Sequence, residues 1–199
     1  MNRLKQRDLG AKTILVLAGM VMTLSVVSAK DRPSFQSGDD VQNSIITFVT
    51  PYEAAACEQK ILDLVGEAHK KILMLAYGFN DPKLCQALID AQSRGVQVLI
   101  CMDKTEAATP KQHVLVERLK SAKIPMAIGK SEIHNQLQHS KVIIVDDSIV
   151  ESGSLNYGQS GLDQDNFADI IVSESRAKKF TEFFGKVWTH IVGSEPPVN

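Results

Sequence analysis

The sequence predicts an α/β fold, a mixed, largely parallel sheet flanked by helices, and three observations carry that prediction. Short β-rich runs alternate with stretches of helical hydrophobic spacing between residues 44 and 125. Further on, two β-like runs are separated by only three turn-forming residues. The chain then ends on a long amphipathic stretch that carries Phe180, Phe183, Phe184 and Trp188.

The elements follow in order. Residues 44–49 are a short β-rich run. Residues 53–69 place Ala56, Ile61, Leu64, Val65 and Ala68 at helical spacing, which makes one face of a helix apolar. Residues 72–77 are a strand. Asp81-Pro82 then supplies an N-cap and a first-turn proline for a helix over residues 82–94, and Gly95 ends it. Residues 96–102 form a third strand and residues 111–122 a third helix, closed by Ile124-Pro125. Strands joined through helices favour parallel pairing, because the crossover returns the chain to the same end of the sheet. In the second half, residues 137–145 and 149–152 flank Asp146-Asp147-Ser148 and read as a tight hairpin. Residues 168–173 are a further strand, and residues 174–191 the final helix.

The N-terminus stands apart from this domain. Arg3, Lys5, Arg7 and Lys12 precede an apolar run over residues 14–27, and Val27-Ser28-Ala29 offers residues suited to cleavage. That order is the pattern of a secretory signal peptide. The 14-residue run falls short of the roughly 20 residues that a spanning helix needs, so cleavage is expected rather than an uncleaved anchor. The expected organisation is a signal peptide over 1–29, a polar tether over 30–43, one domain over 44–191 and a tail over 192–199. No later stretch has the length and apolarity to cross a bilayer.

Without residues 1–29 the chain carries 18 Lys+Arg against 22 Asp+Glu, a net charge of −4. A protein that coats DNA through a general basic surface is excluded; an anionic substrate needs a local positive site. Of Cys57, Cys85 and Cys101, an oxidising compartment would permit one disulfide in any of three pairings, with Cys101 favoured as a buried free thiol. No Cys-x-x-Cys or closely spaced His pair suggests zinc, and neither a metal nor a cofactor is expected.

The chemistry concentrates in residues 138–156, QHSKVIIVDDSIVESGSLN. His139 and Lys141 lie two apart, so an extended strand would point both to one face. The hairpin then returns Gly153-Ser154-Leu155-Asn156 beside them. Lys141 and the Asn156 amide are suited to hold non-bridging phosphoryl oxygens, and Ser154 adds another polar contact. The neutral imidazole of His139 is a nucleophile for phosphorus. Each fragment alone has a bland reading: a solvated His-x-Lys, a buried strand, an ordinary turn. Their joint occurrence by accident is on the order of one in a million.

These residues resemble the HKD motif of the phospholipase D superfamily, His-x-Lys-(x)4-Asp-(x)6-Gly-Ser-x-Asn. The secretory leader, the single motif copy, the strand over residues 72–79 and the trailing aromatic helix are similar to the small bacterial endonuclease branch. The likeness covers about residues 44–191. It implies a phospholipase D/nuclease-like domain in which His139 forms a phosphohistidine, Lys141 and Asn156 hold the phosphate with Ser154 as a secondary contact, and Asp146 supports the site. It also implies a homodimer, since a second imidazole must protonate the leaving group and this chain has one motif. Relatives carry an acid before the last strand that orients the catalytic His. Ala168 stands at that position here, and Asp169 or Asp165 is expected to substitute after a small shift.

His134 is expected to be a loop residue at the rim of the site, while His69, His113 and His190 belong to helices. Tyr77 ends a strand where ligands gather in open α/β sheets, and a core role is equally compatible. Three functions follow from the motif and its departure. The first is an exported nuclease, periplasmic or secreted. The second is a phospholipase D acting on phospholipid headgroups, and the third is a catalytically weak nucleic-acid-binding module.

Overall fold

The computed structural model describes residues 44–133 and 136–197. The leader and tether assigned to residues 1–43, and His134, lie outside them. The chain runs β1 (Ser44–Thr50), α1 (Ala54–Gly66), β2 (Lys71–Ala76), α2 (Pro82–Ser93), β3 (Gln97–Asp103), α3 (Lys104–Ala107), α4 (Pro110–Ser121), β4 (Met126–Gly129), β5 (Lys141–Val145), β6 (Ile149–Gly153), α5 (Gln159–Leu162), β7 (Asn166–Val172) and α6 (Glu174–Val192).

Local chemistry sets the helix ends. Asp81 accepts from the N–H groups of Lys83 and Leu84, with Pro82 opening α2. Ser173 accepts from Arg176 N–H at the start of α6, and Gly193, at φ +81°, closes that helix in the left-handed conformation.

The seven strands form one sheet in the order β1-β7-β6-β5-β2-β3-β4. The mixed sheet flanked by helices is as expected, but its balance is not largely parallel. Only β2–β3 and β3–β4 pair parallel, and the four other pairings are antiparallel. The reason lies in the connections. Helices α2 and α4 carry the chain back across the sheet, whereas β5–β6 is joined by a tight turn and β6–β7 by a loop holding only the one-turn α5. β1, read as the first member of a β-α-β series, instead pairs antiparallel with β7 at the far edge. β4 carries only four residues at the other edge, too few to register as a period-2 pattern.

The β5–β6 turn is the expected hairpin. Asp146 and Asp147 both adopt positive φ, 49° and 60°, which matches the right-handed twist of the flanking strands. Helices α1, α2 and α4 pack on one face of the sheet around Ile72, Met74, Ile100 and Ile143. The opposite face is covered by α6 through Ala177, Phe184 and Trp188 on Leu73, Leu75, Leu99 and Ile144. Cys57, Cys85 and Cys101 are all free and buried; Cys101 lies in the α6-side core and the other two in the opposite one. No helix among the described residues is long and apolar enough to cross a membrane.

Candidate active site

The site forms where β5 enters the sheet. Lys141, the first residue of β5, pairs with Ala76 at the end of β2. Lys141 is 6% exposed, while His139 is exposed. The Lys141 ammonium lies 3.3 Å from Nδ1 and 3.4 Å from Nε2 of His139 and donates to the His139 carbonyl at 2.9 Å. Tyr77 closes the group. Its ring centroid is 4.4 Å from that of the imidazole, and the Lys141 Nζ is 5.0 Å from the Tyr77 ring. Burial lowers the Lys141 pKa below the usual ammonium range. Burial also raises the Tyr77 phenol, helped by the carboxylates of Glu106 and Asp103.

The two motif residues are together, but not by strand alternation. Residues 137–140 were expected within the strand, yet β5 starts at Lys141. The last rung is Tyr77 N–H to Ser140 O at 2.9 Å. The β2 chain then leaves at Gly78, so residues 137–139 have no partner strand. Asp103 holds them instead, accepting Gln138 N–H at 3.0 Å. Asp103 has no exposed surface and also accepts from Thr105 N–H, Glu106 N–H and the Lys130 ammonium. Burial pushes its carboxyl up, but these donors outweigh it and hold the pKa below the usual value. An acid at the C-terminal end of a parallel strand was the available signal for Asp103, since such ends border ligand sites.

Asn156 comes from the loop after β6, with its side chain against Gly78; a Cβ at residue 78 would stand 3.1 Å from the Asn156 Cγ. Its Oδ1 is buried without a partner among the described residues. Ser154 is already occupied: its hydroxyl donates to Asn166 Oδ1 at 2.9 Å and accepts from Phe167 N–H at 3.1 Å. It therefore ties this loop to β7. Gly153 likewise serves strand approach, since a Cβ there would stand 2.1 Å from Phe167 O.

Asp146 is not brought to the site. It follows the far end of β5 from Lys141, and five residues of strand span about 16 Å. Its carboxylate accepts the N–H groups of His69, Lys70 and Lys71 at 2.8, 2.8 and 2.9 Å. It thus ties the α1–β2 loop to the hairpin. Burial raises this carboxyl, the three amides lower it more, and the result lies below the usual range.

The two proposed substitute acids do not fill the vacated role either. Ala168 is fully buried on the face that Lys141 shares. Asp169 pairs with Ser152, itself opposite Val142, so it points to the other face, where it accepts from the Thr47 hydroxyl at 2.6 Å. Moving it would require a one-residue slip that reverses every side chain of β7. Asp165 is exposed in the turn before β7.

A cleft of about 310 Å³ opens beside His139 between residues 130–133 and 137–140 on one side and α6 on the other. Phe183 and Val187 contribute apolar surface, Lys130 and Lys186 contribute ammonium groups, and His190 contributes an imidazole. His190, read from sequence as an ordinary helix residue, faces this cleft. Its spacing from Phe183 and Lys186 on α6 was a legible signal, hidden by the absence of any hint of what α6 faces. Among the described residues, no group of three or more His, Cys, Asp or Glu side chains is arranged to hold a metal ion.

An exposed imidazole with a partly buried ammonium against it thus stands on a mixed sheet between helices. Residues 61–188 match the family model for the cardiolipin synthase phospholipase D-like domain, and the chain belongs to the phospholipase D superfamily. It is 35% identical over 133 residues to a phospholipase D of Rickettsia bellii, an alignment covering 67% of this chain and 62% of that protein. A mitochondrial cardiolipin hydrolase of Xenopus laevis is 25% identical over 140 residues, 69% of this chain and 63% of that one. Among solved structures, the phospholipase D family member Nuc of Salmonella typhimurium aligns with a TM-score of 0.68 at 28% identity. That alignment covers 75% of this chain and 96% of Nuc. NucT from Helicobacter pylori has the same fold, with a TM-score of 0.68 at 20% identity.

Proposed function

We propose that this phosphodiesterase is an exported endonuclease that cleaves nucleic-acid phosphodiesters through a phosphohistidine on His139. The observation that carries the reading is the Lys141 ammonium lying 3.3–3.4 Å from both ring nitrogens of an exposed His139. In the first step an imidazole nitrogen attacks phosphorus. The P–N bond forms, the P–O bond to the leaving group breaks, and a second imidazole delivers its proton to the departing oxygen. In the second step water attacks the phosphohistidine and gives its proton to that second imidazole, so the P–N bond breaks and His139 is regenerated. Lys141 and Asn156 hold the non-bridging oxygens and offset the charge that builds there. With one motif per chain, the second imidazole is His139 of another copy.

Nucleic acid is supported by the similarity to Nuc and by the cleft: Lys130, Lys186 and His190 suit backbone phosphates, and Phe183 suits a stacked base. Phospholipid is the second reading. The apolar surface of Phe183 and Val187 favours it, as do the relatives named phospholipase D. The leader over residues 1–29 supports export, with a mature chain starting near Lys30.

The deciding experiment incubates the protein with single- and double-stranded DNA, RNA and phosphatidylcholine vesicles. Rapid quenching under alkaline conditions then traps any phosphohistidine. Cleavage of nucleic acid with label on His139 is expected. Turnover of phosphatidylcholine alone would establish the lipid reading, and nucleic-acid binding without turnover would mark a non-catalytic module.

A further inference from the structure

Glu151 is a carboxylic acid in the middle of the sheet with no exposed surface. Its strand neighbours are Ile143 on β5 and Ile170 on β7. It shares a sheet face with Lys141: Lys141 and Ile143 are two apart on β5, and Ile143 lies opposite Glu151. Extending the register by one rung sets Gly153 and Ala168 level with Lys141. Beside Lys141, the other two strand positions at that level therefore contribute no side chain larger than a methyl group.

The Glu151 carboxyl meets one described partner, the Tyr157 hydroxyl, which donates to Oε2 at 2.6 Å; Oε1 has none among the described residues. A core needing only volume here would be served by Leu, since a half-satisfied buried acid is costly. Tyr157 follows Asn156 directly and is splinted to the exit of β2. Its N–H donates to Gly78 O at 2.9 Å, and its carbonyl accepts from Asn80 N–H at 2.8 Å. Gly78 backs the Asn156 side chain and follows Tyr77, whose ring lies on His139. One buried hydrogen bond thus anchors the loop that joins both sides of the site.

From this geometry we infer that Glu151, acting through the Tyr157 hydroxyl, is a positioning residue for Asn156; this rests on the phosphate-site reading given above. The groups that bear on its ionisation are Tyr157 in the loop and Asp169 on β7; the titratable groups Cys57 on α1 and Lys141, one rung away on β5, lie on the same side of the sheet. Burial is the largest influence and, with the Asp169 charge and against the Tyr157 hydrogen bond, pushes the Glu151 carboxyl up to about 8. The acid is therefore neutral at pH 7. Ionising it adds a buried negative charge beneath a site that must bind an anion.

The test uses the full chain, bis(4-nitrophenyl) phosphate as substrate, and pH profiles of kcat/KM. Wild type should turn over this substrate and His139→Ala should not; failure there sinks the phosphate-site reading and this inference together. With that reading intact, Glu151→Leu should stay folded by circular dichroism and lose about 10-fold in kcat/KM at pH 7. Glu151→Gln keeps the acceptor and cannot ionise. It should recover most of that loss and lack the decline expected of wild type above about pH 8. Tyr157→Phe should lose a similar factor, which keeps the test alive if Glu151→Leu does not fold. Wild-type activity in both Glu151→Leu and Tyr157→Phe, or superimposable profiles for wild type and Glu151→Gln, would overturn the assignment.

Discussion

The ammonium of Lys141 lies 3.3–3.4 Å from both ring nitrogens of His139 and donates at 2.9 Å to that residue's own carbonyl. The bond bridges two residues and locks the segment just before β5 in the shape that presents the ring. Lys141 thus both brings an ammonium to the site and clamps the backbone that carries the His139 ring.

The first expectation concerns this pair. His139→Ala should abolish turnover while leaving the fold intact, because the ring is exposed. Lys141→Ala should lower kcat by about 10²–10³-fold, the usual cost of removing one preorganised charge-stabilising group. Lys141→Arg should recover little, since its planar fork does not fit a point contact against the imidazole. Steady-state kinetics with matched circular dichroism spectra check this, and appreciable turnover by a folded His139→Ala protein would end the nucleophile assignment.

Asp146 should behave as a stability residue. Asp146→Ala removes the acceptor for three N–H groups and places Ala at φ 49°. The expected loss is about 2 kcal/mol. Asn tolerates the left-handed region and keeps an acceptor, so Asp146→Asn should lose less. The wild-type carboxyl has a folded pKa below its unfolded value. Its contribution is therefore present above the unfolded pKa, about 3.9, and disappears as pH falls through the lower folded one. Urea midpoints should separate wild type from Asp146→Ala at pH 7, and the gap should narrow, without closing, as pH falls through the folded pKa, with kcat per folded molecule unchanged at pH 7. A loss of kcat without a loss of stability would return Asp146 to the catalytic set.

Much of this was legible in the sequence, for identifiable reasons. The cap at Asp81, the helix end at Gly95, the Asp146-Asp147 turn and the apolar faces of the helices are local, so local pattern predicted them. Strand pairing is not local. Nothing in residues 44–50 says that β1 crosses the whole sheet to meet β7. The His139–Lys141 proximity was legible from their spacing, although the partner that clamps the approach, Asp103, lies 35 residues before Gln138. Ser154 and Asp146 were read as site residues because the motif lists them in one line. The fold gives their side chains to β7 and to the α1–β2 loop.

Asp103 yields a third expectation. Asp103→Asn keeps the size but loses charge and the anchoring of Lys130. The segment carrying Gln138 and His139 should loosen, with kcat/KM falling about 10-fold from misplacement of the nucleophile. Hydrogen exchange should show faster protection loss at the Gln138 amide than in wild type. Unchanged exchange there, with unchanged kinetics, would remove Asp103 from the positioning groups.

Activity should survive EDTA. On the proposed mechanism, Lys141 supplies at the phosphate the positive charge that a metal supplies in metal-dependent phosphodiesterases. Turnover measured before and after exhaustive chelation checks this; loss on chelation, restored by one divalent ion, would contradict it.

The last expectation is that two chains share one site. An imidazole that attacks phosphorus cannot also deliver a proton to the leaving oxygen in the same step. A second His139 must therefore face the first within a phosphate's width, related by a two-fold axis. The chain is suited to such a contact. His139 stands at the surface, with Ile133 67% and Leu137 44% exposed just before it. Apolar side chains at the edge of an isologous contact exclude water from the shared site. Lys141 and Asn156 from both copies would then converge on one anion, so a local positive pocket arises on a chain whose residues 30–199 carry a net charge of −4. Sedimentation across a dilution series, run alongside specific activity, should show both falling together as the dimer dissociates. Leu137→Asp should shift that transition to higher concentration while its most concentrated sample regains activity. Constant activity per chain in samples that sediment as monomer would rule the shared site out.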